Sequence, residues 1–432
     1  MKQSVSAVAA TASRKSKNAA IRIRNLMDFL RIQARLEANK ETFSQFLGLS
    51  DASVREDRFS FLERSNTMNS SSDEQESSSS LVFRYKFPPH DRLLYLDGDV
   101  DVDDLPRQRH NRPSLSTYTS ILDEVTTFGI ISADLQNPRP GVSVTMQAQW
   151  GKAHAKATTP SLEEVDIVTT ITKKGRTLGF VRAEVRDPSN NDDVICYFDH
   201  IKYLPPGWML GLMLTPVGRW CLDLYSRYIL PYLMNNSSKK KVSSLHANNN
   251  NYNGKENETH SRIMESFQKT SDMSATFRFG PQHSNGFGGL HGGVQAILME
   301  RLGRTVARNE LMRLNHSDSP TAAAAVSTIT DVECERLQVS YQSSASRYLE
   351  LRAHIIDPPR LDHPSVTLRI EILRGQKPII DNGIENEDTT GPDPDVSNKA
   401  AHRLSKAKRV VVVSEGILTF VATNASSKTK EH

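Results

Sequence analysis

One order of elements occurs twice in this chain, and it restricts the fold more than any other feature. Ser114 through Ile131 places Tyr118, Ile121, Leu122, Val125 and Phe128 at helical spacing, with Ser114 or Ser116 as a natural N-cap. Two short strand-like runs precede it, Leu81–Phe87 and Arg92–Leu96. Four follow, at Gly141–Trp150, Val165–Thr172, Thr177–Arg186 and Val194–Tyr203. The turn-forming stretches Lys173–Arg176 and Pro188–Asn191 separate the last three of these. The same order then returns: a strand at Ala275–Gly280, a helix from His291 to about Leu311, and strands at Glu335–Ser343, Tyr348–Ile356, Val366–Arg374 and Arg409–Ala422. Repetition on this scale predicts two similar units, each burying one sheet face against its own helix. The predicted fold class is α+β.

The second helix has an unusual start. Asn285-Gly-Phe-Gly-Gly289-Leu-His291-Gly292-Gly293 leads into Val294, Ile297, Leu298 and Leu302, which share one helical face. The first amides of a helix lack intrahelical partners, and the summed peptide dipoles place partial positive charge there. Gly292 and Gly293 carry no side chain to keep a ligand from those donors. Such a site suits a carbonyl oxygen that becomes an oxyanion during attack.

Asn-x-x-Gly-x-Leu-His-Gly-Gly, followed by a carboxylate nine residues after the His, resembles the active-site helix of hotdog-fold acyl-CoA thioesterases. The likeness is to their phenylacetate-pathway-type branch. Asp199-His200-Ile201-Lys202-Tyr203-Leu204 resembles the ending of last strands in that family. The resemblance implies a double hotdog, in which each repeat wraps a curved antiparallel sheet round one long helix. It also implies roles: Asn285 positions substrate or water, Gly292 polarises the thioester carbonyl, and a carboxylate is nucleophile or general base. His291 is then the helix-leading histidine, and Gly289 and Gly293 join it in the substrate-binding set.

Geometry decides which carboxylate can serve. Eight residues separate Gly292 from Glu300, about 12 Å along a helix axis. A carboxylate attacking a carbonyl must come within about 3–3.5 Å of it. Glu300 therefore cannot act at its own helix start, and the working group must come from a second helix running antiparallel alongside. Aligning Ile121-Leu122-Asp123 with Leu298-Met299-Glu300 sets Asp123 opposite Glu300 and Ser114-Leu115-Ser116 opposite His291-Gly292-Gly293. The first unit keeps the carboxylate and lacks the glycines. The catalytic set is thus Asp123, Asn285, Gly292 and Glu300, with Asp123 the member able to reach the carbonyl. The two units would form a pseudo-dimer within one chain, with further homo-oligomerisation left open.

The remaining segments carry other expectations. Residues 1–49 are basic, acid-poor up to Asp28 and amphipathic, which reads as a leader of mitochondrial transit type. Residues 50–80 are rich in Ser, Asp and Glu and read as a disordered linker. Repeat one spans 81–204. An aromatic connecting region at 205–234, with Trp208, Trp220 and four prolines, reads as a helix packed on the sheet. Its uncharged part falls well short of the roughly 20 residues of a membrane span. An Asn/Lys/Ser-rich spacer fills 235–262. Repeat two spans 263–424, with loop insertions at 316–325 and 376–407, and a tail follows at 425–432.

Three cysteines, Cys196, Cys221 and Cys334, make no disulfide framework, and a net charge of +4 gives no argument for nucleic acid. His283, His291, His316, His354 and His363 show no metal-ligand spacing, so no metal is expected. No cofactor is expected either, coenzyme A being part of the acyl-CoA substrate. Two other readings stand beside acyl-CoA hydrolysis. One is hydration or dehydration of an acyl thioester, and the other is a non-catalytic acyl-CoA-binding or scaffold protein.

Overall fold

The computed structural model describes residues 2–36, 42–49, 54–64, 80–87, 113–135, 138–152, 154, 165–188, 193–204, 216–224, 264, 266–285, 289–315, 329–345, 347–360, 363–375 and 410–424. Two helices make the core. The first, α3 (Leu115–Ala133), follows α1 (Lys2–Leu36) and the short α2 (Phe43–Phe46). Ser114 is its N-cap, accepting the Thr117 amide at 3.2 Å. Almost every residue of α3 is buried, as a helix covered on all sides must be. Several of its buried hydroxyls are satisfied locally, Thr119 Oγ1 donating to Leu115 O and Ser120 Oγ to Ser116 O. The second core helix, α5 (Gly292–Asn315), comes after α4 (Pro216–Leu224).

The strands are β1 (Phe59–Arg64), β2 (Ser80–Phe87), β3 (Val142–Trp150), β4 (Val165–Lys174), β5 (Leu178–Arg186) and β6 (Val194–Tyr203) in the first half. The second half holds β7 (Phe267–Ser271), β8 (Ser274–Arg278), β9 (Ile329–Tyr341), β10 (Tyr348–Asp357), β11 (Ser365–Arg374) and β12 (Val412–Asn424). They form one antiparallel sheet in the order β1-β2-β4-β5-β6-β3-β9-β12-β11-β10-β8-β7. A large antiparallel sheet with few helices is what the expected hotdog fold requires. Outward from the β3–β9 seam, where Thr145 to Gln149 pair with Ser340 to Arg336, the strand order is the same on both sides. α3 lies against strands of the first half and α5 against those of the second, and the two helices touch each other.

Apart from 92–96, the expected strands are present, most within two or three residues of their expected bounds, the one expected from Glu335 beginning already at Ile329. Several expectations for the other segments need correction. Residues 54–64 are folded rather than part of a disordered linker: Val54 and Phe59 are buried, and β1 pairs with β2. The segment expected as a separate leader is built into the core. Leu26, Phe29, Leu30, Phe43, Leu47 and Leu49 are all buried, and Arg22 Nη1 donates to the carbonyl of Ser132 at 2.7 Å, at the C-terminal end of α3. A cation there meets the negative end of the helix dipole. Trp220 of α4 is 63% exposed, so it is not packed on the sheet as expected of the aromatic region. The expected strand 92–96, the spacer 235–262, the insertions 316–325 and 376–407, and the tail lie outside the described residues. Cys196 and Cys334 are buried, Cys221 is exposed, and all three are free. Among the described residues no helix is long and apolar enough to cross a membrane.

Candidate active site

The contacts between the core helices fix their direction. Ser116 N–H meets Glu300, Ser120 faces Gly293, and Glu124 meets His291, so residue numbers rise along α3 as they fall along α5. The helices are antiparallel and very close. A Cβ built on Gly293 would stand 2.5 Å from Ser120 Cα, an approach only glycine allows. The same approach brings Asp123 to the start of α5: a Cβ on Gly292 would lie 2.7 Å from Asp123 Oδ2 and 3.0 Å from the Tyr341 hydroxyl.

Asp123 is buried within a charged cluster. Ser143 Oγ donates to its Oδ1 at 2.7 Å and Lys202 Nζ at 3.1 Å, while His200 Nε2 stands 3.7 Å away. His291 Nδ1 is 3.8 Å from the other oxygen, Oδ2. Burial works to raise the carboxyl pKa. The Lys202 charge, the neighbouring His291 and His200 rings and the Ser143 hydrogen bond outweigh it and hold Asp123 well below the usual carboxylate range. The carboxylate is therefore ionised at neutral pH. Tyr341 is pushed well above the usual phenol range by burial and by the Asp123 charge, so it remains a neutral donor. Its hydroxyl donates to Gly292 O at 3.0 Å.

His291 is wired on both ring nitrogens. Gly293 N–H donates to Nδ1 at 2.9 Å, and Nε2 lies 2.8 Å from Glu124 Oε1. An Nδ1 that accepts an amide leaves the ring proton on Nε2, donated to Glu124. Burial lowers the affinity of this ring for a second proton, but the Glu124 hydrogen bond and the charges of Glu124 and Asp123 more than offset it and raise its pKa.

His200 is different. Thr126 Oγ1 donates its single proton to Leu122 O at 2.6 Å, so the His200 Nδ1–H must donate to Thr126 Oγ1 at 2.8 Å. Nε2 is left as a bare lone pair without a hydrogen-bond partner among the described residues. Burial, with Lys202 nearby, keeps this ring neutral, its pKa well below the usual value.

The structure thus brings together Asp123, Gly292, Gly293 and His291. Glu300 lies apart from them. Its Oε2 accepts the Ser116 amide at 2.8 Å at the start of α3, and its Oε1 pairs with Arg304 at 2.7 Å. Asn285 braces the glycine-rich turn, accepting the Gly289 backbone N–H on Oδ1 at 3.0 Å while its own backbone N–H donates to Gly289 O. Lys202, His200, Ser143, Tyr341 and Glu124 complete the cluster, and none was singled out as a site residue from sequence. A signal existed for two of them: β6 buries Cys196, Phe198, His200 and Lys202 in alternation, and a His and a Lys in an otherwise apolar inward series are costly unless partnered. No group of His, Cys, Asp and Glu able to hold a metal occurs among the described residues.

No known family model matches the sequence, and no curated protein matches it. Solved structures do resemble it. A conserved protein of unknown function with a hot dog fold from Alicyclobacillus acidocaldarius is 7% identical over 79% of this chain and 93% of its own, with a TM-score of 0.35. The acyl-CoA thioesterase II TesB2 from Mycobacterium marinum is 9% identical over 78% and 99%, with a TM-score of 0.31. Zebrafish thioesterase superfamily member 2 is 16% identical over 40% and 94%, with a TM-score of 0.23. At TM-scores below 0.5 these likenesses carry no weight for the activity of this chain.

Proposed function

We propose that the chain is a double hotdog that hydrolyses acyl-CoA thioesters to the free acid and coenzyme A. One observation carries this reading: the Asp123 carboxylate, delivered by α3, stands against Gly292 at the start of the antiparallel α5. A thioester carbonyl seated over Gly292 would have the positive end of α5 at its oxygen and an ionised carboxylate beside its carbon. Asp123 either adds to that carbon or takes a proton from a water that does. The thiolate of coenzyme A then leaves and is protonated; where Asp123 itself has added, a water then cleaves the acyl–Asp123 anhydride to the free acid and restores the carboxylate. The matched strand order about the β3–β9 seam supports the tandem arrangement, with this composite site formed between its halves. The proposal includes no cofactor or metal. A mitochondrial address rests on the basic pattern of the first 31 residues alone.

A thiol-release assay across short, medium, long and aromatic acyl-CoAs tests the reading. Wild type should release thiol, and Asp123→Asn should bind acyl-CoA without releasing it. A second reading has its own support, because the bare Nε2 of His200 beside Asp123 makes an Asp/His pair suited to adding or removing water at an acyl chain. A change in enoyl absorbance without thiol release would favour that chemistry. Tight binding with neither reaction would favour a scaffold.

A further inference from the structure

We infer that the N-terminal segment carrying Ser44 is a working part of this site, with Ser44 and Glu124 acting as positioning residues that fix the start of α5 through His291. The inference rests on the thioesterase reading and adds to it the parts that hold the carbonyl-binding end in place.

The connection is continuous. Ser44 Oγ donates to Glu124 Oε1 at 2.6 Å, and the same oxygen accepts His291 Nε2–H. The opposite nitrogen of His291 accepts the Gly293 amide. Three hydrogen bonds therefore link α2 to the first turn of α5, and all three side chains are buried. The α2 segment is clamped at two further points. Phe43 N–H donates to Ser284 O, in the turn that leads to α5, and the Phe43 ring lies 5.0 Å from that of His291.

The chemistry argues for more than packing. A buried carboxylate is expensive unless its oxygens are satisfied, and Glu124 Oε1 finds the Ser44 hydroxyl and the His291 ring N–H. A cavity that needed only filling would take an apolar side chain. A carboxylate here does something an apolar group cannot: it accepts from Nε2 and so dictates the tautomer, leaving Nδ1 bare. The other tautomer would point a ring N–H at the Gly293 N–H and force the helix start to shift. That start holds Gly292 against Asp123, where a displacement of about 1 Å can cost about 100-fold in rate.

The test uses the full chain, with Asp123→Asn as the dead reference. Glu124→Ala should lower kcat about 10–100-fold with KM nearly unchanged. Glu124→Gln, which keeps an acceptor oxygen at the same place, should restore most of that loss. Ser44→Ala should lower kcat several-fold, and Ser44→Thr should recover it. Hydrogen exchange supplies a second readout: in Glu124→Ala the amides of 289–296 should exchange faster while those of the sheet do not. Unchanged kcat and unchanged exchange in a folded Glu124→Ala would overturn this inference alone, as would a Gln variant as slow as the Ala variant. Faster exchange throughout the chain would reduce Glu124 to a stability residue and overturn it too. Wild type that releases no thiol would overturn the thioesterase reading itself, and this inference with it.

Discussion

The two glycines at the start of α5 should respond differently to a methyl group, and the difference tests what each is for. On Gly293 the added Cβ meets the Ser120 backbone, which cannot swing aside. Gly293→Ala must therefore part the helices, at about 1–3 kcal/mol, read as a lower urea midpoint. On Gly292 the Cβ meets the ends of two side chains, Asp123 and Tyr341. Gly292→Ala should cost less stability and still lose most of kcat, because the methyl occupies the space of the carbonyl; full activity would show that the carbonyl binds elsewhere. The pH dependence follows from the same cluster. With its folded pKa depressed below the ordinary 3.8, Asp123 contributes its stabilisation fully above that value and loses it only as pH falls through the lower folded value. Nothing it does changes between pH 5 and 9. His291 is the group that differs, its pKa raised above the ordinary 6.5 despite burial, by the Glu124 hydrogen bond and the Glu124 and Asp123 charges. A second proton must go onto Nδ1, where it displaces the Gly293 amide. Thiol release should therefore fall as pH drops through a value above 6.5. A rate that stays flat from pH 8 down to 5 would sink this assignment.

Among the elements, the N-terminal helices are where sequence and structure part. An amphipathic basic stripe has the same period whether its apolar side meets a receptor or a protein core, so 1–49 read as a leader. Here Leu26, Leu30, Phe43, Leu47 and Leu49 are fully buried. Each such side chain is worth about 1.5–3 kcal/mol relative to exposure, and five together match the whole margin of a typical domain. A chain beginning at residue 50 should therefore fail to fold cooperatively; an unchanged melting temperature would show that this packing contributes nothing. N-terminal sequencing of the endogenous protein would show whether Met1 or Lys2 is retained. Strand β1 was missed for a related reason: Phe59 and Phe61 alternate as a strand should, but the Ser- and Glu-rich composition around them hides the signal. By contrast, β4, β5, β6, β10 and β11 were legible almost to the residue, since each is a β-branched and apolar run bounded by turn residues, with near-alternating burial in β5 and β6. Glu124 could not be read at all. Helical neighbours point about 100° apart, so a residue beside Asp123 is expected to face elsewhere, and one of its two partners, Ser44, lies in the unforeseen α2.

At the scale of the whole molecule, two antiparallel core helices create two places where a carboxylate faces a helix start, and they are not equivalent. At the first, Asp123 stands beside an uncovered glycine. At the second, Glu300 has closed the position with its own side chain, accepting the Ser116 amide and pairing with Arg304. A carboxylate on a helix N-terminus is where an oxyanion would sit, so the protein supplies its own anion there. Leu115, fully buried, stands where the first site has Gly292. The chain should thus bind one acyl-CoA, not two. Calorimetry on Asp123→Asn should give one site per chain, and two sites of equal affinity would sink the argument. Kinetics should show the same asymmetry. Asp123→Asn should lose nearly all turnover, since a single oxyanion donor alone is worth about 2.7–4 kcal/mol and the carboxylate makes the reacting group itself. Glu300→Gln keeps an acceptor for Ser116 and loses the charge facing Arg304, so it should cost about 1–3 kcal/mol of stability and leave most of the rate. A dead Glu300→Gln beside a live Asp123→Asn, both shown folded, would place the chemistry at the start of α3 and reverse the assignment of the two halves.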